Sequence, residues 1–157
     1  MRTTAKVDYA VRAAIELARA YPLDGSRPVP VTRQAIADAQ EIPAKFLEHI
    51  LADLKRSRLV GSVRGAEGGY WLHRAPEEIT MADIIRAAEG PLADVRGERP
   101  DALSYPDDLE VLQRAWIAVR ANLRAVLEHV TLADLRDGHL KPEVEALAAT
   151  DDAWLIR

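Results

Sequence analysis

Basic side chains recur on one face of a predicted helix and at the tip of a predicted hairpin. On the helix that begins near Pro43, Lys45, His49 and Arg56 point away from the apolar stripe. Arg64 stands beside a glycine at the hairpin tip, where no bulky neighbour shields it. Cationic side chains presented in this way bind phosphates and the edges of bases in duplex DNA. The pattern therefore predicts non-covalent recognition of a polyanion.

Few residues suit covalent or metal-dependent chemistry. The chain has no cysteine, which excludes disulfides, thiolate nucleophiles and cysteine-ligated zinc or iron–sulfur sites. Its histidines show no i, i+4 pairing with one another or with a nearby acidic cluster, and no Gly-rich phosphate loop or Ser-His-Asp set occurs. These histidines are His49, His73, His129 and His139. We expect no cofactor, no metal and no enzymatic activity.

The two halves of the 157-residue chain carry opposite charge. Residues 1–75 contain 12 Lys and Arg against 8 Asp and Glu, whereas residues 76–157 contain 9 against 17. This asymmetry is typical of a nucleic-acid module joined to a regulatory or assembly module, and chance fluctuation in a small protein is the alternative.

No stretch approaches the roughly 20 apolar residues of a membrane span, and no leader opens the chain. We expect a cytoplasmic protein without a membrane partner.

The first half predicts three helices followed by a hairpin. Apolar spacing predicts a helix over 5–21, Thr32 is the N-cap of a second helix over 33–40, and a third helix runs from Pro43 to about Ser57. Two short strands, 59–63 and 70–73, flank a Gly-rich turn. The third helix is expected to bury Phe46, Leu47, Ile50, Leu51 and Leu54. The order predicts a winged helix-turn-helix, a mainly α fold with a small β-hairpin.

The second half predicts a connector and a long helix. Thr80 and Asp83 form a capping box for a fourth helix that Gly90 ends, and residues 91–107 have no regular period. Apolar residues then alternate at spacings of three and four along a helix of about 24 residues, which predicts a dimerisation seam. The alternative is an amphipathic helix that packs on its own domain. The predicted seam comprises Leu109, Leu112, Trp116, Val119, Leu123, Val126 and Val130.

A short capped helix follows at 131–137, Gly138 closes it, and the remaining residues are predicted to be a loose tail. The expected organisation is a DNA-binding domain over 1–76, a connector and dimerisation region over 77–137, and a tail over 138–157.

Several sequence blocks occur in the order found in a known family. They are KVDYAVRA at 6–13, IPAKFLE at 42–48, LKRSRLV at 54–60, SVRGAEGGY at 62–70, PEEITMADII at 76–85, EGP at 89–91 and TLADL at 131–135. Together they make the chain resemble the Rrf2 family of bacterial transcriptional regulators.

The resemblance implies a homodimer that binds a palindromic operator, with the wing arginine in the minor groove. It also implies that Tyr9 and Arg33 lie near phosphates. We expect a sequence-specific regulator that acts as a repressor; the alternative is a dimeric winged-helix module that contacts proteins and does not bind DNA. The candidate DNA-binding residues are Tyr9, Thr32, Arg33, Pro43, Ala44, Lys45, Glu48, His49, Arg56, Arg64 and Gly65.

Many members of the family hold an iron–sulfur cluster through three cysteines in the stretch that corresponds to 91–107. This chain has none there, and Asp8, which matches a carboxylate ligand in some relatives, is expected to be a cap or an ion-pair residue. Arg96, Arg99 and Tyr105 in this stretch suggest a loop that binds a small anionic or aromatic ligand. The alternative is a plain connector.

Overall fold

The computed structural model describes residues 3–155, which fold into helices around one short antiparallel hairpin. Two 3-10 turns, at Pro76–Glu78 and Asp107–Leu109, precede the fourth and fifth helices. The elements in chain order are α1 (Ala5–Arg19), α2 (Arg33–Gln40), α3 (Ala44–Arg56), β1 (Val60–Val63), β2 (Gly69–Leu72), α4 (Met81–Glu89), α5 (Glu110–Leu127), α6 (Leu132–Asp137), α7 (Pro142–Ala148) and α8 (Asp151–Trp154). The predicted mainly α fold with a small hairpin is confirmed.

Helix α1 is the centre of the core. Its N-cap Thr4 accepts a hydrogen bond from the Val7 amide, and its alanine-rich buried face lets α2, α3, α4 and α6 approach closely. Ion pairing between Asp8 and Arg12, 3.4 Å apart, follows the helical i, i+4 spacing, which confirms the predicted ion-pair role of Asp8. The largest buried side chains around α1 are Leu17, Ile36, Leu47, Ile50, Leu51, Leu54, Leu72, Ile79, Ile84 and Leu132.

The prediction that Phe46 is buried is wrong. Helix α3 buries Leu47, Ile50, Leu51 and Leu54, whereas 49% of Phe46 is exposed. Phe46 lies about a quarter turn from the centre of the buried stripe, at its edge. Its ring there meets the Tyr9 ring edge-on, with centroids 6.0 Å apart.

The core extends past the predicted boundary at residue 76. The segments before α4 and α6 pair through an antiparallel bridge between Thr80 and Thr131, in which the Met81 amide donates to the Val130 carbonyl at 2.8 Å. Each threonine also caps its helix in a capping box, with Asp83 and Asp134. The sequence predicts the box at Thr80 and a cap alone at the later helix. Helices α4 and α6 therefore belong to the same packed body as the winged helix-turn-helix.

Helix α5 is shorter than predicted. It has 18 residues instead of about 24 and ends at Leu127, because the chain must turn back to form the bridge at Thr131. Val130 consequently lies outside the helix and is buried within the protomer, so its predicted place in the exposed seam is wrong. No residue of α5 is buried.

The predicted loose tail is also wrong, since residues 142–154 contain α7 and α8. Pro142 opens α7, Val144 is buried, and the Trp154 indole donates to the Ala148 carbonyl at 2.6 Å. Among the described residues, no helix is long and apolar enough to cross a membrane.

Candidate nucleic-acid interface

The outward face of α3 is polar and exposed, as its sequence predicts. Lys45, Glu48, His49 and Arg56 all lie on this face, opposite the buried leucines. Within residues 3–155, Lys45 and His49 form neither an ion pair nor a side-chain hydrogen bond, whereas Arg56 contacts Asp53 at 2.8 Å. The helix thus presents unpaired donors on a rigid, well-packed support, the arrangement that base-edge recognition in a major groove requires.

An ion-pair cluster on Asp53 fixes the position of α3. The Asp53 carboxylate accepts from Lys6 of α1 at 2.7 Å, and the Lys6 ammonium also donates to the Ala88 carbonyl in α4 at 2.6 Å. The hydrogen bond from Lys6 lowers the pKa of Asp53 most, and Arg56 lowers it further. Lys6 therefore joins three helices behind the exposed face of α3. Sequence reasoning missed this link because the two residues share no local pattern.

The beginning of α3 is tied to α1. Pro43 occupies the N-cap position, and its carbonyl accepts from the Phe46 and Leu47 amides at 2.9 and 3.0 Å. Tyr9 packs its ring against Phe46, and the Arg12 guanidinium lies 5.6 Å from the Tyr9 ring centroid. Pro43, Ala44 and Tyr9 are thus brought to the same end of α3.

Arg33 and Glu48, both predicted to contact DNA, contact each other. The Arg33 guanidinium lies 3.1 Å from the Glu48 carboxylate, and both side chains are largely exposed. Thr32 accepts a hydrogen bond from the Ala35 amide at 3.1 Å, which confirms its predicted role as the N-cap of α2. The pair bridges α2 and α3 across their exposed sides.

The hairpin forms a wing with Arg64 and Gly65 at its exposed tip. Val60 pairs with Leu72 and Val63 with Gly69, one residue earlier in the second strand than predicted. Gly65 adopts φ +119°, a left-handed conformation that favours glycine. Arg64 is exposed and makes no ion pair within residues 3–155. Its side chain is free to reach an anionic partner.

A third strand-like pairing, absent from the sequence prediction, ties the wing to α2. Val31 and Tyr70 exchange two backbone hydrogen bonds, each 2.8 Å long. A Cβ on Gly69 would lie 2.6 Å from the Val31 carbonyl oxygen, so this close approach requires glycine. Because Thr32 follows Val31 directly, the pairing fixes the position of the N-terminus of α2 relative to the wing. A pairing of one residue has no periodicity, so the sequence could not predict it.

Helix α5 presents an apolar surface of a different kind. Leu112, Trp116 and Val119 are 39%, 38% and 47% exposed, while Leu123 and Val126 are half-buried. Leu109 precedes the helix in a 3-10 turn and is also exposed. Polar contacts on an adjacent side of α5 hold it to the body of the protomer. They comprise hydrogen bonds from Gln113 to the carbonyls of Pro100 and Leu103 and ion pairs of Arg120 with Asp101 and of Glu128 with Arg86.

The structure does not bring the predicted ligand-loop residues together around a cavity. Arg99 contacts Asp101 at 2.6 Å, and the Arg96 guanidinium lies 5.8 Å from the Tyr105 ring centroid. Hydrogen bonding from Arg99 lowers the pKa of Asp101. A cavity of 310 Å³ does lie between this segment and α5, but its lining is mostly apolar and its charged members are Glu89 and Asp94.

The chain matches the sequence profile of the Rrf2 family, described as iron-dependent transcriptional regulators, over residues 3–138. It is 45% identical over 148 residues to a protein of Mycobacterium tuberculosis (strain ATCC 25618 / H37Rv) named as the HTH-type transcriptional regulator Rv1287, covering 94% of this chain and 89% of that protein. It is 33% identical to the HTH-type transcriptional regulator CymR of Bacillus subtilis (strain 168), covering 86% and 89% of the two chains.

Solved structures show the same fold. The structure of CymR, described as the global cysteine regulator of B. subtilis, superposes with a TM-score of 0.68 at 33% identity and covers 88% of this chain and 98% of that chain. IscR from T. potens superposes with a TM-score of 0.67, also at 33% identity, and covers 99% and 97% of the two chains.

The donor set of this chain does not fit the iron named in the family description. Iron–sulfur clusters are held chiefly by thiolates, and the chain contains no cysteine. Within residues 3–155, no three histidine, aspartate or glutamate side chains lie close enough together to hold a metal ion. The family match therefore extends to the fold and the DNA-binding architecture, but not to the ligands of a cluster.

The interface and the comparisons agree on one class of protein. Such proteins contact DNA through a helix-turn-helix and a wing. Here α2 and α3 form the helix-turn-helix, the exposed face of α3 is polar, and the wing carries the exposed Arg64. The named relatives are transcriptional regulators and not enzymes, which also decides against the alternative of a module that does not bind DNA. This chain belongs to the Rrf2 family of winged helix-turn-helix, DNA-binding transcriptional regulators.

Proposed function

We propose that the protein is a sequence-specific repressor that binds a palindromic operator as a homodimer. The proposal rests on a contrast between two surfaces. Cations around α3 and the wing are unpaired, whereas α5 carries an apolar face that is not buried. The first surface suits a duplex, and the second suits another copy of the chain.

Unpaired basic residues lie on and around the proposed DNA surface. In the described part of residues 1–75, several exposed basic side chains make no ion pair, and most of them lie on α3, just after it, or on the wing. Phosphates attract such side chains without first displacing a carboxylate. The unpaired residues are Arg27, Lys45, Lys55, Arg58 and Arg64.

In this proposal α3 and Arg64 contact the bases. Lys45, Glu48 and His49 lie on the first two turns of α3, where a recognition helix contacts base edges in the major groove. Arg64 at the wing tip is assigned to the adjacent minor groove, and Tyr9, Thr32 and Arg33 to the phosphates beside it. Arg33 would then exchange its contact with Glu48 for a phosphate.

The exposed surface of the protomer supports a homodimer. The chain exposes 10336 Å², whereas a compact monomer of its mass, 17.3 kDa, exposes about 7,800 Å². The excess of about 2,500 Å² is comparable to one protomer's share of an obligate dimer interface. The apolar seam of α5 provides the surface on which a second copy would pack, because an 18-residue amphipathic helix gains little from its own protomer when it buries no residue.

A two-fold dimer explains the palindromic operator. Two copies of α3 related by a two-fold axis read the same half-site on opposite strands, about one helical turn, or roughly 34 Å, apart. A dimer held on such a site blocks other proteins from the same duplex, which is the physical basis of the proposed repression. In cells carrying a reporter behind the upstream region of the protein's own gene, expression of the protein should lower reporter output.

The response to a small anionic ligand stays a prediction. Both loop arginines already have partners, since Arg99 contacts Asp101 and the Arg96 guanidinium lies over the Tyr105 ring. Asp101 is also bound by Arg120 of α5. An anion would have to displace that carboxylate, so we expect only weak binding. Thermal unfolding in the presence of small carboxylates and phosphates tests this expectation, and a concentration-dependent rise in Tm that Arg99→Ala abolishes would establish the site.

The DNA-binding proposal is tested by fluorescence anisotropy with a labelled duplex from the upstream region of the protein's own gene. Titrations at two salt concentrations, with an unrelated duplex as competitor, separate specific from non-specific binding. We expect tighter binding to the upstream duplex at both salt concentrations. Equal affinity for both duplexes would contradict sequence-specific recognition.

A further inference from the structure

A groove lies between the wing and the loop that joins α1 to α2. One wall consists of Pro28, Val29 and Pro30, and the other is formed by the wing. Two arginines line the groove, Arg27 from the loop and Arg64 from the wing tip. Both are exposed, and neither makes an ion pair within the described residues, although the Glu67 carboxylate lines the same groove.

The loop wall is held rigidly against the wing. The two 2.8 Å hydrogen bonds between Val31 and Tyr70 fix the end of the loop. Pro28 and Pro30 restrict the backbone immediately after Arg27, because each ring fixes its own φ angle and limits the residue before it. A short, stiff segment therefore attaches Arg27 to the wing. The backbone at Arg27 has little conformational freedom left to lose on binding.

Two cations on one groove favour an anionic occupant. Their mutual repulsion is relieved when an anion binds between or beside them, and an arginine fork donates two parallel hydrogen bonds to a phosphate. A minor groove that receives Arg64 is bordered on both sides by the phosphates of the two strands. A second guanidinium beside the wing tip is suitably placed to contact one of those strands.

We propose that Arg27 binds a backbone phosphate of the strand that borders the minor groove entered by Arg64. The inference rests on the proposed DNA-binding function and adds a contact from the loop between α1 and α2. Because a phosphate contact carries no base information, Arg27 positions the wing on the duplex and does not select the sequence.

The test compares the salt dependence of binding for Arg27→Ala, Arg64→Ala and the wild type, with the labelled upstream duplex and an unrelated duplex. Loss of one phosphate contact should reduce the slope of log K against log salt by about 0.9, and Arg27→Ala should weaken binding to both duplexes by the same factor. Arg27→Lys keeps the charge and should keep most of the slope. Lys141→Ala, which removes an exposed, unpaired cation from the start of α7, is the matched control and should behave as wild type.

The outcomes separate the inference from the proposed function. If the wild type binds, Arg64→Ala weakens binding and Arg27→Ala leaves both affinity and slope unchanged, the Arg27 contact is wrong and the function stands. If Arg27→Ala weakens only the upstream duplex, Arg27 recognises bases and the proposed phosphate contact is wrong. If the wild type binds neither duplex, the proposed function itself fails.

Discussion

Helices α3 and α5 are both amphipathic, but their apolar faces have different environments. Helix α3 buries four large side chains completely in its own protomer, and its exposed face is polar. Helix α5 buries none, and its exposed residues include Leu112, Trp116 and Val119. Burial of apolar area is the main stabilising contribution to folding. The apolar face of α3 is therefore fully covered within one protomer, whereas we expect a partner to cover the apolar face of α5.

The two helices also differ in how their charged side chains are paired. Around α3 and the wing, Lys45 and Arg64 have no ion-pair partner among residues 3–155, so they are available to phosphates and bases. On α5, Asp101 neutralises Arg120 and Glu128 neutralises Arg124. The Arg120–Asp101 pair and the pair of Glu128 with Arg86 of α4 hold the helix to the body of the protomer. Among the described residues, Arg114 and Lys141 are also exposed and unpaired, so it is the position of unpaired cations on α3 and the wing that indicates the DNA surface.

The largest expected effect comes from placing a charge on the exposed seam of α5. Val119→Asp buries a carboxylate in the proposed apolar interface, so the variant should be monomeric by light scattering. Operator affinity should fall by about 100-fold or more, because the second half-site no longer binds intramolecularly. Ala121→Asp introduces the same charge on an exposed position outside the seam and should remain dimeric. A dimeric Val119→Asp would exclude the seam as the interface.

A smaller loss is expected from the unpaired cations of the DNA surface. Arg64→Ala and Lys45→Ala should each weaken operator binding by about 1–3 kcal/mol where a base contact is lost, while both variants remain dimeric and folded. Anisotropy titration measures the affinity, and circular dichroism checks the fold. Wild-type affinity for Arg64→Ala would show that the wing does not enter a groove.

The support behind α3 should contribute to stability more than to recognition. Asp53→Asn weakens the contacts of Asp53 with Lys6 and Arg56 and should lower the free energy of unfolding by about 1–2 kcal/mol, since the carboxylate is mostly buried. Urea unfolding measures the change, with Glu67→Gln on the exposed wing as the control. An unchanged urea midpoint would mean that the cluster adds nothing to the packing of α3.

The smallest effect concerns the ion pairs at the end of α5. Arg124 chiefly, with Arg86, lowers the pKa of Glu128 to about 2 from its ordinary value of 4.5. Because the folded pKa is below the unfolded one, Glu128 stabilises the fold above pH 4.5 and loses that contribution as the pH falls towards 2. In Glu128→Gln the fall in Tm across this window should be smaller than in wild type. Identical pH profiles of Tm would contradict the assignment.

Much of the fold follows from local sequence signals. Thr32, Thr80 and Thr131 each cap the helix they were predicted to cap, because capping depends on side chains within three residues of one another. The exposed face of α3 follows from helical periodicity alone.

The remainder depends on contacts between distant residues. The pairing of Val31 with Tyr70 and the bond from Lys6 to Asp53 are each set by another element, and no local pattern encodes them. The heptad spacing continues to Val130 in the sequence, but the bridge at Thr131 withdraws that residue into the core. Periodicity therefore located α5 without determining where it ends.

The stoichiometry of the complex between the protein and the duplex from the upstream region of its own gene tests the roles of α3 and α5 together. Sedimentation velocity, with absorbance of the labelled duplex and of the protein recorded together, gives the number of protomers bound per duplex. We predict two protomers per duplex for the wild type. A complex with a single protomer, or no complex at low salt, would contradict the assignment of α3 to DNA and α5 to a second copy.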